Sequence, residues 1–323
     1  MKWLMGALGI GVLGEVTGAA YLFQRTIKRE SKMDVSRIPN AIGEAWKRYI
    51  PIIRSEKGWL AKQKIEQMSI QTDDGLILRG IWLEAPAQSD KVIIALHGYR
   101  SRGESDFAAL SHFYHELGYH VLIVDHRAHG KSEGEYIGFA ALDYKDCKKW
   151  IKLAIKKLGD YAQIYLHGIS MGGATALALS SEKLPHQVKG IISDCGFTSA
   201  WEVFEHVLKD DYHLPAFPIL QIANTLCKKQ AGYAFDEVNN TERVKNSNLP
   251  ILFIHGAKDD FVPTWMSQKM YEECTAEKKL VIIAGAGHGE RYYRDTEKYQ
   301  KAVRTFLKQC EEKDKVKEES QIS

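Results

Sequence analysis

Ser170 stands within Gly168-Ile169-Ser170-Met171-Gly172, between an apolar run at residues 163–167 and a run of small residues at 173–179. A serine hydroxyl is a weak nucleophile at neutral pH and needs an adjacent base, which in turn needs an orienting carboxylate. A sharp strand-to-helix turn would lift this hydroxyl above a sheet edge, and such a turn demands small neighbours on both sides. Two later segments offer the missing partners. Residues 251–254 read as a strand that runs into His255-Gly256-Ala257-Lys258-Asp259, and residues 280–283 as a strand whose exit loop, Ala284-Gly285-Ala286-Gly287-His288-Gly289, carries a histidine between glycines. In chain order these are a nucleophile, an acid and a base: Ser170, Asp259 and His288.

Each member has a rival reading. Ser170 would also serve as a plain helix N-cap, and His288 as a surface histidine among the twelve in the chain. Asp259 competes with its neighbour Asp260 and with Asp194, which follows another strand. An acyl-transfer site also needs two backbone N–H groups aimed at the developing oxyanion. Met171, directly after the serine, is the expected first donor. Tyr99, in the His97-Gly98-Tyr99 loop that leaves the strand at 92–96, is the expected second. The dense polar loop Asp125-His126-Arg127-Ala128-His129-Gly130-Lys131-Ser132 contains a further Asp/His pair, but no nucleophile accompanies it. It reads as a strand-end turn whose side chains bond to neighbouring loops.

Positioning these groups requires a particular frame. Residues 65–72 and 76–83 flank Asp73-Asp74-Gly75, a hairpin signal. Apolar runs at 92–96, 121–124, 164–167, 188–192, 251–254 and 280–283 then alternate with helical patterns at 107–117, 142–158, 265–274 and 296–310. Continuous apolar strands separated by helices specify a mostly parallel sheet covered on both faces. Counting the hairpin, the pattern predicts an α/β fold with eight strands and helices on both faces. Between strands 6 and 7 lies an aromatic-rich, helical insertion at 196–248, of the kind that caps a substrate pocket.

Composition narrows the class. With 44 Lys and Arg against 41 Asp and Glu in 323 residues, nothing points to nucleic acid. The five cysteines are scattered and odd in number, which argues against a disulfide framework or a zinc site; neither a metal nor a cofactor is expected. The chain ends are different. Residues 3–23 are almost all apolar or glycine, with Glu15 the one charge, and are long enough to cross a bilayer. Residues 1–23 therefore read as a membrane anchor, with a cleaved signal segment and a helix packed on the domain as alternatives. Arg25, Lys28, Arg29 and Lys32 follow, a charge bias that places the domain on the cytoplasmic side. Residues 24–61 read as an amphipathic connector with an apolar face at Ile42, Ala45, Trp46, Tyr49, Ile50 and Ile53. The charged tail at 311–323 reads as disordered.

Taken together, His97-Gly98, Asp-x-Arg-x-His-Gly-x-Ser, Gly-x-Ser-x-Gly-Gly, His-Gly-x-x-Asp-x-x-Val-Pro and the late Gly-His resemble the α/β-hydrolase superfamily. More narrowly, the chain is similar to N-terminally anchored hydrolases of Gram-positive bacteria, grouped with serine aminopeptidase-like and prolyl-oligopeptidase-like enzymes. The resemblance spans residues 62–310 and implies an α/β-hydrolase fold with Ser170 as nucleophile, Asp259 as acid, His288 as base, and Tyr99 and Met171 as oxyanion donors. Ala128 departs from the family pattern, which has glycine there. The activity expected is hydrolysis of a carboxylic ester through an acyl-enzyme, on a small-molecule or peptide acyl substrate. A peptidase or aminopeptidase using Glu202, Glu205 or Asp210 to hold an amine, a thioesterase, and a non-catalytic binding protein on the same fold are the alternatives.

Overall fold

The computed structural model describes residues 17–29 and 44–322. Its centre is one eight-stranded sheet in the order β1-β2-β4-β3-β5-β6-β7-β8. The strands are β1 (Ile65–Gln71), β2 (Ile77–Leu83), β3 (Lys91–Leu96), β4 (His120–Val124), β5 (Gln163–Ile169), β6 (Val188–Asp194), β7 (Ile251–Gly256) and β8 (Lys278–Ile283). β1 and β2 form the expected antiparallel hairpin, with Gln71 opposite Ile77, and β2 pairs antiparallel with β4. All other pairings are parallel, so this is the mostly parallel eight-stranded sheet that the apolar runs predict.

The middle strands are buried on both faces. On one face, helices Gly103–Glu116 and Thr296–Ile322 cover Ile93, Tyr165, Ile192 and Leu252; on the other, Asp143–Leu158 and Met171–Ala178 cover Ile94, Leu166, Ile191 and Phe253. From β3 the chain moves outward to β4, then returns across β3 to β5 and continues the other way. The order therefore reverses between β3 and β5. In open α/β sheets the crevice beyond the strand ends at such a reversal is where ligands bind. Leu96 and Gly168 are paired across it, so the Tyr99 loop and the Ser170 turn leave the sheet side by side.

Between β6 and β7 the insertion folds into helices Ala200–Asp210, Ile219–Gln230 and Asn240–Lys245. The first two line the crevice beside Ser170 and, with Phe139, Phe197 and Phe235, form a third apolar cluster, whereas Asn240–Lys245 buries Val244 in the cluster around Phe253. All five cysteines are free and buried.

In three places the described residues differ from the expectation. The first concerns the anchor at 1–23, of which residues 1–16 lie outside the described residues. Residues 17–27 are helical, and Ala19, Phe23 and Ile27, spaced four apart on one helix face, are buried, Phe23 and Ile27 within the third cluster. This part of the apolar stretch packs on the domain, and among the described residues no helix is long and apolar enough to cross a membrane.

The second is the amphipathic face at 42–53 of the connector, of which residues 30–43 lie outside the described residues; its described part, 44–53, is not one helix. Glu44–Lys47 and Ile50–Leu60 are separate helices with a turn between them. Pro51 explains the break: it lacks an N–H, and its ring would clash with the carbonyl four residues back, at Lys47. The third is the charged tail, where the closing helix runs to Ile322 instead of stopping at Cys310. Lys and Glu are strong helix formers, and Glu311 pairs with Lys91 at 2.9 Å while Lys189 holds Asp314.

Candidate active site

Ser170 sits between β5 and helix Met171–Ala178 with φ +53° and ψ −114°, a conformation L-residues rarely adopt. Such strain costs on the order of 1–3 kcal/mol and persists only when the surroundings impose it. The glycines on either side are what allow the turn to close. A methyl group on Gly168 would lie 2.0 Å from the Gly172 carbonyl oxygen, and one on Gly172 would lie 1.9 Å from the Leu96 carbonyl oxygen. The Ser170 N–H donates to the Asp194 carbonyl at 2.7 Å, which ties the turn to the end of β6.

The three residues singled out in sequence meet here. His288 Nε2 lies 3.0 Å from Ser170 Oγ, and His288 Nδ1 lies 2.9 and 3.0 Å from the two Asp259 oxygens. Asp259 is buried and accepts from the Val262 N–H at 2.9 Å. Burial opposes its charge, but the His288 imidazole, bonds from His255 and His288, and the Arg291 guanidinium outweigh that, holding the carboxyl well below its ordinary range. The rival acids are accounted for. Asp260 is exposed. Asp194 instead binds Arg291 Nε and accepts from Tyr299 Oη at 2.8 Å.

Met171 is the first helical residue after Ser170, so its N–H has no acceptor within the helix. The Tyr99 turn is held from two directions. Asp106 Oδ2 accepts from the Gly98 N–H at 2.8 Å, and Asp106 Oδ1 accepts from Ser101 Oγ. On the other side, the Arg100 N–H, where φ is +53°, donates to His129 Nε2 at 3.0 Å. Burial drives His129 down to about 3, so its ring is neutral. With Nε2 accepting, its Nδ1 carries the proton and donates to the Arg127 carbonyl at 2.9 Å.

The polar loop at 125–132 thus has the structural role read from its sequence. Asp125 accepts from the Gly103 N–H at 3.0 Å, Arg127 pairs with Asp146 at 2.7 Å and with Asp74 at 3.0 Å, and Ser132 Oγ bonds the Asp125 carbonyl. Ala128, where the family pattern has glycine, takes φ +60°, the backbone region that glycine suits. Replacing His129 by leucine would strand the Arg100 N–H at a cost of about 1–3 kcal/mol. We expect kcat on an acyl ester to fall about tenfold or more, with KM nearly constant, as the Tyr99 amide loses its aim. Unchanged kcat in a steady-state assay would show that the loop holds itself.

Sequence reasoning missed Asp106 and Arg291. Asp106 lies in the first turn of a helix, where acids are common for capping reasons. Arg291 lies in a charged stretch with no apolar pattern to suggest burial, yet it is only 1% exposed. It lies between Asp194 and Asp259, with Nη1 3.7 Å from the latter. As for metals, the Cys195 sulfur, an Asp259 oxygen and a His288 nitrogen lie within 4.8 Å of one another. Burial keeps Cys195 a thiol, and the nearby guanidinium opposes a cation, so this group does not suit a metal ion.

Ser170 lines two cavities. One, of about 250 Å³, is walled mainly by apolar side chains including Phe139, Phe197, Phe204 and Leu220, with Arg25 and Arg100 also in its lining. The other, of about 490 Å³, includes Trp46, Ser101, Asp106, His288 and Tyr293. The acids considered for amine binding line neither. Glu202 pairs with Lys269 at 3.2 Å, Glu205 with Lys209 at 2.7 Å and Asp210 with His206 at 2.6 Å.

Sheet topology and the serine turn over the switch point define an α/β hydrolase. Within that class the chain belongs to the prolyl oligopeptidase family, whose sequence pattern matches residues 106–314. It is 31% identical over 223 residues to the uncharacterized protein YqkD of Bacillus subtilis, covering 69% of this chain and 73% of that one. It is also 28% identical over 217 residues to the lysophosphatidylserine lipase ABHD12 of Danio rerio, covering 62% of this chain and 54% of that one. Among solved structures, an esterase of Pyrococcus furiosus superposes with a TM-score of 0.63 at 24% identity, covering 76% of this chain and 91% of the esterase.

Proposed function

We propose that this hydrolase cleaves a carboxylic ester of an acyl chain through an acyl-enzyme on Ser170. The observation that carries the reading is the apolar cavity of about 250 Å³ that opens beside Ser170 and has no carboxylate in its lining among the described residues. At about 30 Å³ per water-sized group, it has room for a chain of roughly eight carbons. The second cavity, on the His288 side, would receive the alcohol.

In this mechanism His288 Nε2 takes the Ser170 proton as Oγ attacks the ester carbonyl carbon. The oxyanion is met by the Tyr99 and Met171 N–H groups. As the tetrahedral intermediate collapses, His288 returns the proton to the departing alcohol. Water, deprotonated by the same imidazole, then attacks the acyl-enzyme carbonyl, and as the carboxylic acid leaves, His288 returns that proton to Ser170 Oγ. Asp259 holds the imidazole with Nδ1–H toward it throughout.

The lipase activity in the name of the Danio rerio relative makes a single-chain lipid ester one candidate substrate. A peptidase reading follows from the family name alone, and the apolar cavity does not favour it. Parallel assays with p-nitrophenyl esters of increasing chain length, lysophospholipids and aminoacyl amides test the proposal. Esters, with a preference for a medium chain, should be turned over at least about a hundredfold more efficiently than amides. Faster amide cleavage would overturn the ester reading.

A further inference from the structure

We infer that the N-terminal helical segment at residues 17–27 is a wall of the acyl cavity and sets its chain-length preference; this rests on the ester reading above. Leu22, Phe23, Thr26 and Ile27 line the same cavity as Ser170. The opposite side comes from the insertion, through Val203 and Phe204 of helix Ala200–Asp210 and Leu220 of helix Ile219–Gln230. Without this segment the cavity would open between the insertion and the strand-end loops. It lies far outside residues 106–314, so the family pattern does not include it.

The way the segment is held suits a specificity element. The Ile137 N–H donates to the Ile27 carbonyl at 2.8 Å, and the Arg29 N–H donates to the Glu135 carbonyl at 2.7 Å. The Arg29 guanidinium reaches the Ser132 and Gly130 carbonyls at 2.5 and 2.8 Å. Tyr99 Oη donates to the Thr26 carbonyl at 2.9 Å, and the Arg100 guanidinium to the Arg25 carbonyl. On the segment's side these bonds use the backbone of 25–29 and the guanidinium of Arg29, which lies outside the cavity lining. None uses the side chain of half-buried Leu22, so cavity shape can change there while the attachment stays; Phe23, 1% exposed, also packs the segment on the third cluster. Tyr99 joins the two functions, since its loop offers the second oxyanion donor and its hydroxyl fixes the wall.

The test is the acyl-length profile of kcat/KM on p-nitrophenyl acetate, octanoate and laurate. Phe23→Ala deepens the cavity and should raise the laurate-to-acetate ratio about tenfold over wild type. Leu22→Trp, at a half-buried position whose replacement does not empty the core, should lower that ratio by a similar factor. If Phe23→Ala does not fold, Leu22→Trp decides alone. Folded variants with the wild-type profile, or with all three esters slowed equally, would overturn the wall assignment. Absence of ester turnover by the wild type would instead count against the ester reading. The wall is then judged by calorimetric binding of octanoate and laurate to Ser170→Ala carrying each change. The same ordering of affinities supports it, and unchanged affinities overturn it.

Discussion

Ser170→Ala is expected to lower turnover of a p-nitrophenyl acyl ester by about a millionfold while the protein stays folded. The size follows from the triad acting as a unit. Without Oγ there is no acyl-enzyme, His288 has no proton to take, and the Asp259–His288 pair has no task. What remains is whatever the Tyr99 and Met171 N–H groups give a direct attack by water, on the order of 10³-fold over solution. Adding His288→Ala should then cost almost nothing more, because both changes remove the same step. Stability should barely move. The hydroxyl is a small part of a side chain that is only 5% exposed, and alanine keeps both the Cβ and the unfavourable φ of +53°. Labelling by a fluorophosphonate probe gives a second readout, present in wild type and lost in the variant. A wild-type protein that takes no label would favour the non-catalytic binding reading. Ester turnover retained near wild type in Ser170→Ala would remove Ser170 from the mechanism.

The site was legible in sequence because each of its members lies at a strand end, where type and neighbours say most. Ser170, Asp259 and His288 each follow an apolar run and lie within three residues of a glycine at a strand exit, so the sheet dictates that they converge. Asp194 and Asp259 are hard to tell apart by strand ends alone, since one ends β6 and the other lies just beyond the adjacent parallel β7, and it is the spacing of the strand-end motif that favours Asp259. The choice between them is made by a third group, Arg291, which takes Asp194 and leaves Asp259 to His288. Nothing local marks Arg291 as buried, and only the packing of helices Arg291–Arg294 and Thr296–Ile322 against β6 and β7 puts it there. The fate of residues 17–27 was hidden for a related reason. Apolarity says that a surface must leave water, not whether a bilayer or a protein cavity receives it.

Arg291→Met should be the most damaging change outside the reacting groups, costing about 3–5 kcal/mol of folding stability. A typical domain has only about 5–15 kcal/mol to lose. Methionine fills the space but leaves the Asp194 carboxylate with Tyr299 Oη as its remaining side-chain donor. That tyrosine is also committed, its oxygen lying 3.0 Å from His167 Nε2. Burial already opposes the charge on Arg291, and Asp194 and Asp259 more than restore it, so much of the penalty is the stranded partner. Asp194→Asn in the Arg291→Met background removes that charge and should recover roughly half of the loss, a coupling that urea denaturation curves would measure directly. The acid side should respond as well. The Asp259 carboxyl is depressed in the folded state, so the stability it contributes is present above its unfolded value and is lost as pH falls through its folded value. Without the guanidinium that folded value rises, and acid unfolding of Arg291→Met should begin at higher pH than in wild type. A single variant less than about 1 kcal/mol weaker than wild type, or a double variant no better than the single, would mean that Asp194 finds its compensation elsewhere. In that case Arg291 would not be what separates the two acids.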